Sequence, residues 1–279
     1  MVKLQRAIKE AIIEDNGFMD AASYPLKGKI CSAYILLKSE NIVVSGIELI
    51  REVALEFGLK CDTFFNSGEK IEANMVEVMR LYGDASIILG CERVFLNVLS
   101  LMSGVATKTH LFSSQLKASG KKTKIAATRK TLPFLGEFQK LAVVHGGGDT
   151  HRMNLSDMAM IKDNHRALYA DLETAIKEVK SILSFSKKLE VEVESKEEAY
   201  CAAKLGADII MIDNMGPDSS KFLSKELKSH YPNLIIEVSG GIREQSFMNF
   251  SDDNIDIIST GILTSEVSYV DFSMEIFHD

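Results

Sequence analysis

The sequence predicts an α/β protein whose C-terminal part is a parallel sheet, and three observations carry that expectation. Short β-rich runs recur after Gly120, helical stretches separate them, and nearly every run ends on polar or glycine residues of catalytic type. The runs are Lys124 to Ala127, Met158 to Ile161, Leu189 to Val193, Asp208 to Ile212, Leu234 to Val238 and Ile255 to Ser259. Leu172 to Leu183 and Lys196 to Leu205 have helical periodicity between them. A barrel and an open doubly wound sheet both satisfy this rhythm. The residues that follow the runs favour the barrel: Thr128-Arg129-Lys130, Lys162-Asp163-Asn164, Glu192 with Glu194, Asp213-Asn214, Ser239-Gly240-Gly241 and Thr260-Gly261. Barrel strands bring all their C-terminal ends to one mouth, whereas an open sheet gathers such residues at a single switch point.

The N-terminal part reads differently. Leu4, Ala7, Ile8, Ala11 and Ile12 make an amphipathic helix that should stop at Asn16-Gly17. Ser32 to Gly46 is rich in β-branched and aliphatic residues, and Ile47 to Phe57 returns to helical spacing before Gly58 breaks it, so a strand and helix layer of its own is expected. A long helix should start near Cys91, with Val94, Phe95, Val98, Leu99, Met102, Val105 and Ala106 as its apolar stripe. Its other face carries Arg93, Asn97, Ser100, Gly104 and Thr107, mostly small, which suits either close approach of another backbone or ligand, or a plain solvated face.

Composition narrows the function classes. The chain has 279 residues and a net charge of -7, so it repels nucleic acid and anionic membranes, and any cationic cluster is a local device. Lys117, Lys121, Lys122 and Lys124 have only Phe112 as a nearby aromatic, a poor nucleic-acid patch. Cys31, Cys61, Cys91 and Cys201 lack zinc or disulfide spacing and read as free thiols of a reducing cytosol. Charges through Met1 to Asp20 suit neither a signal peptide nor a span, and no other apolar run approaches spanning length, so a soluble protein is expected.

Arg129 and Lys130 after one run, His151 and Arg152 after Gly146-Gly147-Gly148, and Lys162 after another run make five cationic or potentially cationic groups. Guanidinium groups hold carboxylates bidentately and lysine serves phosphate as a point charge, so a dicarboxylate beside a phosphorylated partner fits this mixture. Glu190, Glu192 and Glu194 alternate on one strand face; turned inward they need cations, hydroxyls or Mg²⁺, and Asp213 supplies another acid at similar depth. Gly240, Gly241 and Gly261 can expose backbone N–H groups to a phosphate, or serve as ordinary turns. His110, His145, His165, His230 and His278 show no ligand-like spacing.

Taken in order, Glu92-Arg93, Leu96-Asn97, Ser103-Gly104-Val105-Ala106-Thr107, Thr128-Arg129-Lys130-Thr131, Gly146-Gly147-Gly148 with His151-Arg152, Ile161-Lys162-Asp163-Asn164-His165, Asp213-Asn214, Ser239-Gly240-Gly241-Ile242 and Ser259-Thr260-Gly261 resemble the quinolinate phosphoribosyltransferase family. The resemblance spans almost the whole chain. It implies an N-terminal α/β sandwich over 1–107, to which 267–279 returns, and an incomplete, roughly seven-stranded α/β barrel over 108–266. It further implies a cytoplasmic, Mg²⁺-dependent homodimer in which Arg93 reaches the neighbouring subunit's site. By the same resemblance Arg129, His151, Arg152 and Lys162 hold quinolinate, while Lys130, Glu192 and Asp213 handle phosphoribosyl pyrophosphate and its metal. Ser239, Gly240, Gly241, Thr260 and Gly261 receive the 5′-phosphate. Ala127, Phe134, Gly136 and Ser265 depart from the family pattern, and the stretch from Thr128 to Phe134 is similar to the ModD paralogue linked to molybdenum transport. A ModD-like enzyme for another acidic aromatic substrate, or a non-catalytic anion-binding paralogue, is the alternative.

Overall fold

A computed structural model describes residues 1–277 of the chain, so His278 lies outside the described residues. In chain order the elements are α1 (Val2–Asn16), β1 (Ile30–Leu37), β2 (Ile42–Val43), α2 (Ile47–Glu56), β3 (Lys60–Thr63), β4 (Lys70–Ile71), β5 (Val76–Asp84), α3 (Ala85–Ala118), β6 (Lys124–Ala126) and α4 (Gly136–His145). There follow β7 (Ala159–Ile161), α5 (Asp163–Arg166), α6 (Leu172–Ile182), β8 (Leu189–Val193), α7 (Lys196–Lys204), β9 (Ile209–Asp213), α8 (Pro217–His230), β10 (Ile235–Ser239), β11 (Ile257–Ser259), α9 (Ile262–Ser265) and β12 (Phe272–Phe277). The chain forms two compact units, one of Met1–His110, Leu132–Gly147 and the described residues from Glu266, the other of Leu111–Thr131 and Gly148–Ser265.

The first unit is built on an antiparallel sheet in the order β12-β1-β5-β3. Helix α1 stops where expected, because Gly17 takes φ 55, a left-handed value open to a residue without Cβ. The long helix α3 begins at Ala85, six residues before the expected start at Cys91, since Ala85 to Gly90 continue its helical pattern directly from β5. Its polar face settles on the close-approach reading: a Cβ at Gly104 would lie 2.2 Å from the Ser268 carbonyl, and Thr107 Oγ1 accepts the Val43 N–H at 2.9 Å. Contrary to the expectation that no apolar run approaches spanning length, α3 is long and apolar enough to cross a membrane by length and composition. Within this unit, however, its stripe is core, with Phe95, Leu99, Met102 and Val105 at 0% exposure.

In the second unit six parallel strands run in the order β6-β11-β10-β9-β8-β7. The seventh strand of the expected barrel is reduced to a single parallel bridge, Ala126 to Asp149, in which the Asp149 N–H donates to Ile125 O and the Ala127 N–H to Asp149 O, both at 2.9 Å. No residues after Asp149 extend that ladder: Gly148 precedes it and His151, at φ 54, turns the backbone away. Strand cores such as Ile209 to Ile212 are apolar throughout because helices cover one face and the barrel interior the other. Helices α6 and α7 start on side-chain caps, Asp171 accepting the Thr174 N–H at 2.7 Å and Ser195 the Glu198 N–H at 3.3 Å.

The two-residue period stacks the interior in layers. Ile209, Ile235 and Ile257 open the strands and line a 360 Å³ cavity that Glu237 also borders. Two residues further along are Met211, Glu237 and Ser259, and two further again are Asp213 and Ser239 at the strand ends.

Candidate active site

The C-terminal strand ends bring together most of the residues singled out by sequence. Lys162, which caps α5, places Nζ 3.3 Å from Glu192 Oε2. Burial pushes the Glu192 carboxyl above its ordinary range, and Lys162 pulls against that shift. Asp213, on the neighbouring strand, is likewise raised by burial and opposed by the charges of Lys162 and Lys130. Two acids and two lysines thus share one half-buried space, where each charge depends on its opposite. Glu194 does not join them: β8 ends at Val193, and Glu194 is exposed with its N–H given to Glu198 Oε2 at 3.0 Å.

Backbone constraints fix these side chains. Thr264 Oγ1 donates to Lys130 O at 2.6 Å, and Lys130 lies so close over Gly261 that a Cβ there would come 2.8 Å from its Cδ. Asn214 sits at φ 55 and donates from Nδ2 to Asp213 Oδ2 at 2.6 Å, while Gly240, at φ +88, leaves room for Asn214 where a Cβ would meet its backbone nitrogen at 2.5 Å. Ser239, Gly240 and Gly241 leave β10, and Thr260 and Gly261 leave the adjacent β11, so the five phosphate candidates lie on neighbouring strand exits. Thr260 Oγ1 is turned to Ile242 O at 3.0 Å, which ties one exit to the other.

Arg129 is exposed, and Arg152 is buried with its guanidinium donating to Met158 O at 3.3 Å. Burial, then the charge of Arg129, lowers the Arg152 pKa, so the two guanidiniums repel and an anion between them would be favoured. Arg93 is exposed on α3 in the first unit and is not among the groups the barrel unit gathers.

His151 faces inward, below the mouth. Its Nε2 lies 3.0 Å from Glu237 Oε2 and 3.4 Å from Glu190 Oε2. Burial disfavours an imidazolium here and the two carboxylates favour one, enough on their own to raise its pKa to about 10. The Arg152 N–H opposes them directly, donating at 2.7 Å into Nδ1, the only nitrogen left for a second proton; the ring as held is the Nε2–H tautomer. Glu237 also accepts a hydrogen bond from Ser259 Oγ. Glu190 is wholly buried, neither of its oxygens has a hydrogen-bond partner, and burial raises its pKa to about 7. The ligand atoms of His151, Glu190 and Glu237 lie within 4.8 Å of one another, close enough for a metal. The Nε2–H serves Glu237, while Glu190 has only the nearby Arg152 charge and the imidazole edge at 3.4 Å.

Sequence reading does not single out Glu237, although the period of β10 puts it on the face of Ser239, as Glu190 shares a face with Glu192. Asn214 enters the sequence reading only as a member of its motif, whereas its φ of 55 and its Nδ2 donation to Asp213 Oδ2 give it a part in aiming that acid. Among the other histidines, His145 pairs with Ser45 Oγ at 2.7 Å and His165 Nδ1 accepts the Lys162 N–H at 3.1 Å, both local structural roles.

Comparison with known proteins agrees with this geometry. Residues 20–103 match the quinolinate phosphoribosyl transferase N-terminal domain and residues 105–275 its C-terminal domain. A probable carboxylating nicotinate-nucleotide pyrophosphorylase from Methanothermobacter thermautotrophicus is 40% identical over 273 residues, covering 96% of this chain and 97% of that protein. The carboxylating nicotinate-nucleotide pyrophosphorylase of Dictyostelium discoideum is 35% identical over 288 residues, covering 98% and 96%. The crystal structure of NadC from Streptococcus pyogenes superposes with a TM-score of 0.91 at 32% identity, covering 99% of this chain and 97% of that one. Matched in both domains and related at this identity across nearly its whole length, the chain belongs to the quinolinate phosphoribosyltransferase family.

Proposed function

We infer that the chain is a phosphoribosyltransferase that joins quinolinate to phosphoribosyl pyrophosphate and forms nicotinate mononucleotide, pyrophosphate and CO₂, a step of NAD biosynthesis. The observation that carries this reading is the pairing of Lys130 and Lys162 with Glu192 and Asp213 beside two mutually repelling arginines. Such a mouth accepts a dianion and a polyphosphate together, in a chain whose net charge of -7 would otherwise repel both. Relatives described as carboxylating pyrophosphorylases do not favour the ModD-like alternative.

Arg129, Arg152 and Lys162, with His151 beneath them, would form the dicarboxylate side. Lys130, Glu192 and Asp213 would face the ribose and pyrophosphate, and Ser239, Gly240, Gly241, Thr260 and Gly261 the 5′-phosphate. When the pyridine nitrogen attacks the anomeric carbon, the bond to pyrophosphate breaks and positive charge develops on the ribose; Glu192 and Asp213 are placed to stabilise it. Loss of the 2-carboxylate leaves its electron pair on the ring carbon, where a proton replaces CO₂. The donor set fits Mg²⁺: a buried and a half-buried carboxylate on adjacent strands are hard oxygen ligands, and this ion is commonly held by one or two carboxylates plus substrate phosphates. Bound there, it would neutralise the departing pyrophosphate.

Arg93 is proposed to complete the site of a second subunit in a cytoplasmic homodimer. Mixing inactive Arg93→Ala and Arg129→Ala subunits should then restore activity, and mixtures that stay inactive while both variants remain folded would remove that role. The function itself is tested by turnover with Mg²⁺ and by calorimetric titration: tight binding of quinolinate and phthalate with far weaker nicotinate supports it. Folded protein that takes up none of the three refutes it.

A further inference from the structure

The layer beneath the mouth contains a strained turn and two buried carboxylates to which the transfer chemistry assigns no task. His151 holds φ 54, a left-handed conformation that disfavours side chains with a Cβ by roughly 1–2 kcal/mol. Its backbone N–H donates to Asp149 Oδ1 at 2.7 Å. The ring then spans two elements: Nε2–H reaches Glu237 Oε2 at 3.0 Å, and Nδ1 accepts the Arg152 amide at 2.7 Å. Glu237 is only 2% exposed and is itself steadied by Ser259 Oγ. A buried acid adds little stability over a well-packed apolar side chain of its size, so geometry accounts for Glu237 here better than stability does.

We propose that Glu237 is a positioning residue for the dicarboxylate subsite, holding the His151 imidazole as a strut between strand β10 and the backbone of Arg152. Because Arg152 follows a turn where the sheet ladder has ended at Asp149, no strand pairing fixes it; the strut replaces the missing ladder. Both ring nitrogens are occupied inside the protein, so His151 serves the dicarboxylate through Arg152 rather than by direct contact. Asp149, Arg152, Glu190 and Glu237 are the charged groups bonded to or paired with the turn and ring, with Asp157 and Lys188 lining the same cavity and the charge of Arg129 acting on Arg152. The proposal rests on the assignment of Arg152 to the dicarboxylate.

The test compares Glu237→Leu, which removes the acceptor at similar volume, with Glu237→Gln, whose amide oxygen can still accept from Nε2–H. Expected for Glu237→Leu is at least a tenfold weaker calorimetric affinity for quinolinate, with phosphoribosyl pyrophosphate affinity within twofold of wild type. Glu237→Gln should retain both. Ring ¹⁵N signals of His151 should report a protonated Nε2 and a bare Nδ1 at pH 7 in the wild type, and that single-tautomer pattern should be lost in Glu237→Leu. A doubly protonated ring in the wild type, equal loss in both variants, or unchanged quinolinate affinity in Glu237→Leu overturns the strut. If wild-type protein binds no quinolinate the functional reading fails instead, while the ring signals still decide whether the strut exists.

Discussion

The two inner layers of the barrel unit use the same residue types in opposite ways. At the mouth, Glu192 is buried with its side chain still 12% exposed, Asp213 is half-buried, and the two are opposed by the charges of Lys162 and Lys130. One layer down, Glu190 and Glu237 are fully buried, and the partner they share is a single imidazole with no freedom left. A flexible ion pair on an open face can be taken apart by an incoming anion at small cost, because water replaces what the protein releases. A buried carboxylate held by a neutral imidazole N–H cannot, because the acid that lost its donor would have no solvent to replace it. The upper layer therefore suits exchange of ligands and the lower one suits fixing geometry.

The sharpest way to break that distinction is to remove an acid from the mouth. Asp213→Ala or Glu192→Ala should reduce kcat by roughly 10²–10³, the scale of losing one electrostatic stabiliser of a transition state. Quinolinate affinity should stay nearly intact, since the dicarboxylate is assigned to other groups. Equal loss of turnover and quinolinate binding, seen by steady-state kinetics beside calorimetry, would show that the acids act on both substrates.

A second test asks whether the mouth is rigid through its backbone as well as its charges. Gly240→Ala introduces a Cβ 2.5 Å from the Asn214 nitrogen at a φ of +88. We expect a destabilisation on the order of 1–3 kcal/mol in denaturant unfolding, together with loss of turnover as Asn214 releases Asp213. Stability near wild type would mean that the exit from β10 adjusts freely and does not aim the acid.

The mouth was largely legible in the sequence and the lower layer was not, for a physical reason. Residues at strand ends follow apolar runs immediately, so Lys130, Lys162, Asp213 and Gly240 announce themselves by position, and each strand of the six-stranded parallel sheet lies within two residues of its expected bounds at either end. Glu237 sits in mid-strand between Ile236 and Val238, where only the two-residue period reveals its face. The β8 pattern also overreached: three alternating glutamates look equivalent, yet the strand stops at Val193 and Glu194 falls to solvent. Similarly, no local signal distinguishes a full seventh strand from the single bridge at Asp149, because a parallel ladder is specified by its neighbours rather than by its own residues.

The smallest expected effect separates the layers by stability alone. Glu190 has a folded pKa raised to about 7 from an ordinary 4.5, so between those values the folded state binds a proton that the unfolded state has released. Stability therefore falls as pH rises through that window, and the loss is complete above it. Glu190→Gln removes the ionisation while keeping size, so its thermal midpoint should exceed that of wild type by a few degrees at pH 8 and converge with it near pH 4.5. Glu192→Gln should show the same sign but a smaller gain, because its side chain is 12% exposed and Lys162 already offsets its charge. Parallel melting curves at pH 5 and pH 8 decide the matter. Equal gains for the two variants would mean that burial and the mouth lysines weigh alike, and that the contrast between the layers is one of position only.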